Sequence, residues 1–575
     1  MAQPKEETSE QKQSNDISTD ALFKKYEERI KTFEANVSEF PTDGNRIISD
    51  RWKDERNTIA FHMKKTYPLV HGGVLALAYN FLAIKRKYGS SIEKKLYEKM
   101  TMVQFFDRLA TKRAVVFFKS SDSYTLRNGY QRHANWETVG TERETNPVLA
   151  EYLSYDELII SAMCGISSPT HFVNSGDRRN CGRIQEMTWG NFYPKEGIYM
   201  GLVGARFERS NVMENSLMAI DERQNKPENG YGAYNAKNKD DNKQNDDEKN
   251  NNGLTLEQEL SEELLLKRAE ISETKNKQNN KVIMRAFEQF YDRTHLPTFE
   301  EVKQGLANNE KLKSRYYERE GWSSSDYLDI EIFRQRIRVS LEIFLFDADR
   351  RASQYKELYG DKLDKTKLMG AFCHIVGLGT GVWAFEKEEQ NRQIVKVTKE
   401  IIESSNLKNI DCVYFSWLTN SCMYIDDSKK ETIFEKVNED NQQYLCKDKK
   451  KHGVSIQFGR RSPADELEDP YRQCLITAMY AWDSNSFPGN EYYKSMLSAS
   501  GDPAAAACST IPFVQNSEIN KEFINGENTG VYFFDPKENK YEFAKLGKIK
   551  FEQNKDAVLK KSIMSIPYKR ERLMK

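Results

Sequence analysis

The sequence predicts an α/β protein in which a mixed sheet is flanked by helices. Two observations carry this prediction. In the last third of the chain, apolar runs with strand character alternate with amphipathic helical patterns. Those runs are also joined through helices rather than through tight turns alone, which favours parallel pairing with helices on the faces of the sheet. With 575 residues, the chain is long enough to bury such a core.

The N-terminal part is predicted to be a polar tail followed by helices. Residues 1–19 carry few apolar side chains and are expected to be disordered. Helical periodicity then marks residues 20–105, for example in ALFKKYEERIKTFEANV and VLALAYNFLAIKRKY. We therefore expect a helical N-terminal extension ahead of one large domain that covers residues 106–575.

A β-rich part follows and is then interrupted. Strand character begins near RAVVFFKSSD and returns in EGIYMGLVGARFE. Residues 226–253 are a low-complexity Asn/Lys/Asp tract that cannot bury a core, and we interpret them as an insertion loop. Helical patterns resume in TLEQELSEELLLKRAEI and in DIEIFRQRIRVSLEIFLFDADRRASQYKELY.

The last third supplies most of the predicted sheet. Its strand-like runs are GAFCHIVGL, IDCVYFSWL, VSIQFGR, QCLITAMYAW and GVYFFD, and the helix EEQNRQIVKVTKEIIESS stands between the first two. In such sheets ligands bind where strands end and helices begin, because unpaired backbone N–H groups and the helix dipole meet there. The junctions after GAFCHIVGL and after QCLITAMYAW are therefore candidate sites.

Composition argues against several functional classes. Lys plus Arg and Asp plus Glu number 87 each, so the chain lacks the one-signed charge of a protein that coats nucleic acid or an anionic membrane. No stretch is apolar enough to span a bilayer, and the N-terminus lacks the apolar segment of a signal peptide. The eight cysteines include no C-x-x-C pair, which indicates reduced thiols in a cytoplasmic protein. We expect no cofactor, no bound metal, and neither nucleic acid nor membrane as a partner.

The first junction is rich in glycine. Gly377, Gly379 and Gly381 of GLGTGVW can bring backbone N–H groups close to an anion without help from a lysine. The spacing differs from that of the P-loop and of the dinucleotide fingerprint, so it does not indicate a nucleoside triphosphate or NAD. A turn needed only for tight packing between strand and helix remains an equal alternative.

The second junction carries three carboxylates. Asp483, Glu491 and Asp502 lie among Ser, Asn, Gly and Pro residues, which places them in loops. Such acids can orient or deprotonate a water and stabilise the cation that develops when a glycosidic bond breaks. Asp502 precedes Pro503 and an alanine run, as a helix N-cap would, and surface or turn roles are open for the other two acids.

The stretch VGLGTGVWAFEKEEQNRQIVKVTKEIIESSNLKNIDCVYFSW resembles the second phosphate loop of macrodomains, with the helix and strand that follow it. The resemblance implies that the turn binds the diphosphate of ADP-ribose and that its aromatic residue lies near the distal ribose. By this resemblance, the roles fall on Gly379, Thr380, Gly381, Val382 and Trp383. We also predict that Gly377 and Asn490 bind ADP-ribose.

A wider set of motifs resembles the MavL-like ADP-ribosylhydrolases. The set comprises AWDSNSFPGNEYY, SASGDPAAAACSTI, GLGTGVW, SSPTHFVNSGDRRNCG and GIYMGLVGARFERSNVMEN. The resemblance implies a macrodomain-like fold and removal of ADP-ribose from a modified protein, in that family from an arginine of ubiquitin. The essential acids of the family correspond to Asp483, Glu491 and Asp502, with Glu491 standing where the family has Asp. Because the acids follow the diphosphate loop here, unlike in ordinary macrodomains, we expect permuted connectivity.

Catalysis by these acids would proceed by direct attack of water on C1″ of the ribose. Asp483 or Glu491 would orient the water, and Asp502 would hold the ribose hydroxyls.

Two other functions remain open at the level of sequence. A non-catalytic ADP-ribose reader would keep the diphosphate loop and lose the acids, so the presence of all three acids favours hydrolysis. An ADP-ribosyltransferase of the polymerase type would need a histidine, a tyrosine in a GIY strand and a glutamate on a late strand. The nearest candidates are His171, Tyr199 and Glu518, and the last of these falls in a predicted loop.

Overall fold

The computed structural model describes residues 18–37, 39–187, 193–233, 262–275, 282–319, 325–426, 428, 430–437, 443–446, 453–498, 500–535 and 538–569. Most of the predicted tail and most of the predicted insertion lie outside these described residues. Among the helices that are described, none combines the length and the hydropathy needed to cross a bilayer.

A large mixed sheet organises the protein. In chain order the strands are β1 (Tyr67–His71), β2 (Val116–Phe118), β3 (Ser123–Thr125), β4 (Gln131–His133), β5 (Cys164–His171), β6 (Glu196–Leu202), β7 (Ala219–Ile220), β8 (Tyr316–Arg319), β9 (Asp326–Asp329), β10 (Ala371–Ile375), β11 (Ile410–Ser416), β12 (Glu435–Lys436), β13 (Gln443–Cys446), β14 (Val454–Gly459), β15 (Leu475–Ala481), β16 (Gly530–Asp535) and β17 (Lys540–Lys545). Eleven of them pair in the order β12-β13-β14-β11-β10-β15-β6-β5-β1-β16-β17. Two small sheets, β2-β3-β4 and β7-β9-β8, accompany the large one.

Helices cover the sheet. In chain order they are α1 (Thr19–Asn36), α2 (Arg56–Lys64), α3 (Gly72–Tyr88), α4 (Ser91–Tyr97), α5 (Met102–Thr111), α6 (Tyr155–Ser161), α7 (Asn215–Met218), α8 (Glu262–Lys275), α9 (Met284–Phe290), α10 (Phe299–Asn308), α11 (Ile330–Tyr359), α12 (Lys387–Ser404), α13 (Gly501–Ala507), α14 (Ile511–Val514), α15 (Leu546–Ile549) and α16 (Lys555–Ser565). The longest, α11, packs against β1, β10 and β15. Asp329 is the N-cap residue before this helix, and its carboxylate accepts hydrogen bonds from the N–H groups of Glu331 and Ile332.

The middle of the sheet is parallel. Strands β14, β11, β10, β15 and β6 pair in one direction, and α12 connects β10 to β11. Strand β15 is the last of the five in the chain, yet it lies between β10 and β6. The carboxyl ends of β6, β15 and β10 therefore meet at one edge of the sheet, which is where sheets of this kind bind ligands.

The hydrophobic core joins the N-terminal helices to the sheet. Phe33 of α1, Phe81 of α3 and Phe105 of α5 belong to the same buried cluster as Ile375 of β10 and Met479 of β15. Apolar runs such as β10 are buried along their whole length because helices cover the sheet.

The mixed sheet flanked by helices confirms the predicted fold class. The predicted strands of the last third correspond to β10, β11, β14, β15 and β16. Strands β1 and β5 were not predicted. Strand β1 directly follows a helical pattern, and every residue of β5 is buried, so neither strand shows the alternation of apolar and polar residues that marks a half-buried strand.

Candidate active site

Three loops meet at the carboxyl edge of the parallel strands. Strand β6 is followed by Gly204, β10 by residues 377–383 (the glycine turn), and β15 by residues 483–502 (the acidic loop). The Trp482 N–H donates to the Leu202 carbonyl oxygen at 2.9 Å, which extends the pairing of β15 with β6 up to the acidic loop. The sheet thus brings together the two segments that the sequence singled out.

Asp483 is held by four hydrogen bonds. Its Oδ1 accepts from the N–H groups of Asn485 (3.1 Å) and Ser486 (2.9 Å) and from the Ser486 hydroxyl (2.6 Å). Its Oδ2 accepts from the side-chain amide of Asn490. Burial nevertheless has the larger effect and raises the pKa of Asp483 to about 6.

Asn490 positions Asp483. Its Oδ1 accepts from the Phe117 N–H at 2.9 Å, and its amide nitrogen donates to the Phe117 carbonyl oxygen at 3.0 Å as well as to Asp483. Both ends of the side-chain amide are therefore engaged within the protein, and the residue is buried. The predicted contact of Asn490 with ADP-ribose stays a prediction.

Glu491 and Asp502 share one hydroxyl group. The Ser500 Oγ lies 3.3 Å from Glu491 Oε2 and 3.1 Å from Asp502 Oδ1. The other carboxyl oxygen of Asp502 is buried and has no hydrogen-bond partner within the described part of the chain. The alternative role of Asp502 as a helix N-cap is wrong, because Ser500 occupies the N-cap position of α13 and Asp502 lies inside its first turn.

All three carboxyl groups have raised pKa values. Asp483, Glu491 and Asp502 are only 7%, 8% and 3% exposed, and burial is the main cause of each shift. The charge of Asp483 contributes further, so that the pKa of Glu491 rises to about 7. Both neighbours together hold the pKa of Asp502 well above its usual range. The site thus combines carboxyl groups that hold their protons with different strengths, which is the pattern of paired acids and bases in enzymes.

The glycine turn presents backbone N–H groups that the protein does not use. Among the described residues, none provides an acceptor for the N–H groups of residues 379–383. Gly379 has a φ of +67°, and a Cβ there would lie 2.4 Å from the Ala205 carbonyl oxygen, so this position requires glycine. A Cβ on Gly381 would meet no atom within 4 Å, which leaves the turn open on that side. Consecutive free N–H groups at an open turn suit an anion.

The other residues of the turn divide into packed and exposed ones. A Cβ on Gly377 would lie 2.0 Å from Thr380 Oγ1, so these two residues pack closely within the turn. Val382 is 83% exposed. The Trp383 ring is partly buried, and the guanidinium of Arg206 lies 5.5 Å from its centre. The turn therefore has a packed base and an exposed apolar tip.

Two buried arginines flank Asp483. The positive charge of Arg206 favours the ionised form of Asp483 and so opposes the rise in the pKa of that carboxyl. Arg113 lies over the Trp482 ring at 4.5 Å and donates to the Ser484 carbonyl oxygen. Because Arg206 also contacts Trp383, its charge links the glycine turn to the acidic loop.

The N-terminal extension supports the acidic loop. The side-chain amide of Asn45 donates to the carbonyl oxygens of Ala506 (2.7 Å) and Ser509 (3.0 Å), and its oxygen accepts from the Tyr492 hydroxyl (2.8 Å). Sequence reasoning missed this support and also missed Ser500. Ser500 had one available signal, its place two residues before Asp502, whereas nothing in the sequence connects residue 45 to the loop.

The residues proposed for a transferase are not assembled as that function requires. His171 lies at the far end of β5, where burial lowers its pKa to about 4. The Tyr199 ring is buried between Phe172 (centroids 5.2 Å apart) and Tyr480 (5.6 Å). Glu518 lies outside the strands and forms an ion pair with Arg127 at 3.1 Å.

Comparison with known proteins agrees with this geometry. A family model described as "ADP-ribosylhydrolase MavL-like" matches residues 27–535. The chain is similar to ADP-ribosylarginine hydrolase CG3568 of Drosophila melanogaster, with 30% identity over 503 residues that cover 86% of this chain and 83% of the relative. It is also similar to ADP-ribosylarginine hydrolase CG2909 of the same species, with 28% identity over 466 residues, 80% of this chain and 78% of the relative.

Proposed function

The chain belongs to the MavL-like ADP-ribosylhydrolase family and is a hydrolase of ADP-ribosyl–protein bonds, and from this premise we propose that it releases ADP-ribose from modified arginine side chains. The names of the two fly relatives support the choice of arginine. Ubiquitin is the modified partner implied by resemblance to the family. All eight cysteines are free, which supports the cytoplasmic location that we also propose.

The observation that carries the proposal is the meeting of the glycine turn and the acidic loop at one edge of the sheet. An enzyme that cleaves ADP-ribose from a protein must hold the diphosphate and act on C1″ of the distal ribose at the same time. The free N–H groups of residues 379–383 suit the diphosphate, and the three carboxyl groups suit C1″. Binding energy from the diphosphate would then fix C1″ against the attacking water.

We assign the role of general base to Glu491. Four donors occupy the oxygens of Asp483, whereas Glu491 receives one side-chain hydrogen bond, from Ser500 to Oε2, and a backbone hydrogen bond, so it keeps more capacity to accept a hydrogen bond from a water. With a pKa of about 7, the carboxylate of Glu491 can accept a proton near neutral pH. The water oxygen bonds to C1″, the C1″–N bond breaks, and the water proton passes to Glu491.

The other two acids act on the sugar in this assignment. Asp483, kept ionised by its donors, stabilises the positive charge that develops at C1″. Asp502, kept neutral by its surroundings, donates a hydrogen bond to a ribose hydroxyl. The guanidinium of the modified arginine is already positively charged, so breaking of the C1″–N bond releases it as neutral guanidine. This guanidine then takes from Glu491 the proton that came from the water, so no separate strong acid is needed.

The apolar rim of this edge provides a surface for the modified protein. Val382 of the glycine turn and Trp417, which follows β11, are 83% and 49% exposed. Trp417 directly follows β11, and Val382 belongs to the turn after the parallel strand β10, so both lie at the carboxyl edge of the sheet, as the acids do. A partner that presents a modified arginine would contact them.

The test is release of ADP-ribose from proteins modified on arginine, on serine or on glutamate. We expect the wild type to act on the arginine-linked substrate, including arginine-modified ubiquitin. Asp483→Asn should lower this turnover by about 10²-fold or more. Glu468→Gln, which changes an exposed acid outside the site, should leave the rate unchanged.

Three outcomes would contradict the assignment. Turnover of serine- or glutamate-linked substrate without turnover of arginine-linked substrate would overturn the choice of side chain. Tight binding of ADP-ribose without release would indicate a reader. Transfer of label from NAD to protein that is lost in His171→Ala would indicate a transferase.

A further inference from the structure

A second group of titratable side chains, two histidines and a glutamate, lies at the edge of the sheet opposite to the edge that carries the three acids. His62 belongs to α2, His171 ends β5 and Glu196 begins β6. The seven residues of β6 lead from Glu196 to the edge that carries the acidic loop, a distance of about 20 Å at the usual rise of a strand. The group is therefore separate from the candidate active site.

Each oxygen of the Glu196 carboxylate faces one histidine. His62 Nε2 lies 3.3 Å from Oε2, and His171 Nδ1 lies 3.8 Å from Oε1. One ligand atom from each of the three residues lies within 4.8 Å of the others. Zinc bonds to histidine and carboxylate are about 2.0–2.2 Å long, so tetrahedral ligand atoms stand about 3.3 Å apart. Small side-chain movements would bring all three atoms onto one ion.

The fold holds these side chains in place before any ion binds. His171 and Glu196 are direct cross-strand neighbours in the antiparallel pairing of β5 with β6. The Trp52 ring stacks on His171 with 5.0 Å between centroids and an interplanar angle of 25°. The rings of His62 and His171 are 4.7 Å apart. The strand pairing and the ring contacts therefore limit the movement of both imidazoles.

The two histidines have buried nitrogen atoms that the protein does not use. Both side chains are fully buried. In the part of the chain that the structure describes, three of their ring nitrogens have no hydrogen-bond partner: both nitrogens of His171 and the Nδ1 of His62. Unpaired buried polar atoms are rare in folded proteins, and His171 Nδ1 is the one of these three atoms that faces Glu196 and that an ion would engage. The nearby cation, Lys195, is paired with Glu55, so Glu196 keeps a negative charge for an ion.

We propose that His62, His171 and Glu196 bind a zinc ion that clamps α2 to the starting edge of β6. Two imidazoles and one carboxylate are a donor set that zinc accepts in proteins. The Glu196 side chain is 44% exposed, so a fourth position is open to water from that side. The site fixes the N-terminal helices to the sheet and takes no part in hydrolysis, which occurs at the other edge.

The experiment measures zinc retained by full-length, tag-free protein after zinc addition and desalting, together with the melting temperature with and without chelator. We expect one zinc per chain and a higher melting temperature with zinc bound. Glu196→Gln should weaken zinc binding by about 100-fold or more, because it changes a proposed ligand. Changes in residues that only support the ligands already weaken metal binding by about 10–100-fold. His295→Gln is the matched control, because His295 contacts Glu301 at 3.4 Å and the Thr294 hydroxyl at 3.1 Å and, within the described part of the chain, belongs to no group of three possible metal ligands.

A wild type that retains no zinc would overturn the proposal, as would a Glu196→Gln variant that retains as much zinc as the wild type. Cobalt provides a second measurement on the unaltered protein, in case a variant misfolds. Co²⁺ bound by nitrogen and oxygen ligands in a tetrahedral site gives strong visible absorption that zinc removes, and the absence of this absorption would also overturn the proposal. Hydrolysis by Glu196→Gln should equal that of the wild type, so this test and the test of the active site fail independently.

Discussion

Replacing Glu491 with Gln should stabilise the protein at alkaline pH while removing most of its activity. The pKa of Glu491 rises from 4.5 to about 7 on folding, so between these values the folded state holds a proton that the unfolded chain releases. The stability contributed by that proton is therefore complete below about pH 4.5 and is lost as the pH rises through about 7. At about 1.4 kcal/mol per tenfold change in proton affinity, the ionised group costs the folded state about 3 kcal/mol.

The melting temperature gives a direct measure of this difference. An unfolding entropy of about 2.1 cal/mol/K per residue amounts to about 1.2 kcal/mol/K for 575 residues. Glu491→Gln should therefore melt about 2–3 °C above the wild type at about pH 8, and close to the wild type at about pH 4.5. Glu468→Gln, at an exposed site, should show no such pH-dependent difference.

Activity supplies the second half of the prediction. Turnover of arginine-linked substrate by Glu491→Gln should fall by about 10²-fold or more, because the amide cannot accept the proton of the water. The reasoning about the buried charge is refuted if the variant melts below the wild type at alkaline pH. It is also refuted if the difference in melting temperature between variant and wild type is the same at both pH values. Full activity would remove Glu491 as the base.

Three further predictions follow from the same site. Gly381→Val should leave the melting temperature unchanged, because its side chain would enter open space, and should weaken ADP-ribose binding in calorimetry, because that space is where the ligand is expected. Gly379→Val should lower the melting temperature, because a valine is strained at a φ of +67°. Asn490→Ala should lower kcat by about 10²-fold with little change in KM, since it releases Asp483 from its position; a change in KM alone would contradict this role. Asp502→Asn should keep more activity than Asp502→Ala, because an amide also donates a hydrogen bond to a ribose hydroxyl, and equal rates of the two variants would exclude that donor role.

Much of the sheet could be predicted because its central strands are continuous apolar runs. Strands β10 and β15 are short apolar runs bounded by glycine or polar loops, a pattern that depends only on neighbouring residues. Strand β5 contains Gly165 and Pro169, which are unfavourable in strands, and its burial is set by the elements packed around it. Its strand character therefore could not be deduced from local preference.

The three candidate acids could be proposed from the sequence, but the shifts of their pKa values could not. Asp483, Glu491 and Asp502 stood out by residue type and by their position after an apolar strand. Their pKa values depend on burial and on one another's charge, which arise only when α13 packs against the end of β15. The role of Ser500 also could not be predicted from the sequence. Its hydroxyl is important because it lies between the carboxyl groups of Glu491 and Asp502 in the folded protein.

The proposed zinc site of His62, His171 and Glu196 could not be predicted from sequence patterns for a simpler reason. His62 and Glu196 are 134 residues apart, and His171 meets Glu196 only through the register of two antiparallel strands. Short-spacing metal motifs place their ligands within one helix or one loop. A site assembled from a helix and two strands has no such signature.

The place of β15 in the sheet also determines when the molecule can become active during synthesis. Its neighbours β6 and β10 leave the ribosome long before residues 475–481 do, so the nascent chain carries two strand edges without their shared partner. Contacts between segments so distant in the chain form slowly, and unpaired edges can associate with other chains in the meantime. Insertion of β15 closes that gap and places the acidic loop in the same event, so the chain reaches its hydrolytic form only after β15 has joined the sheet.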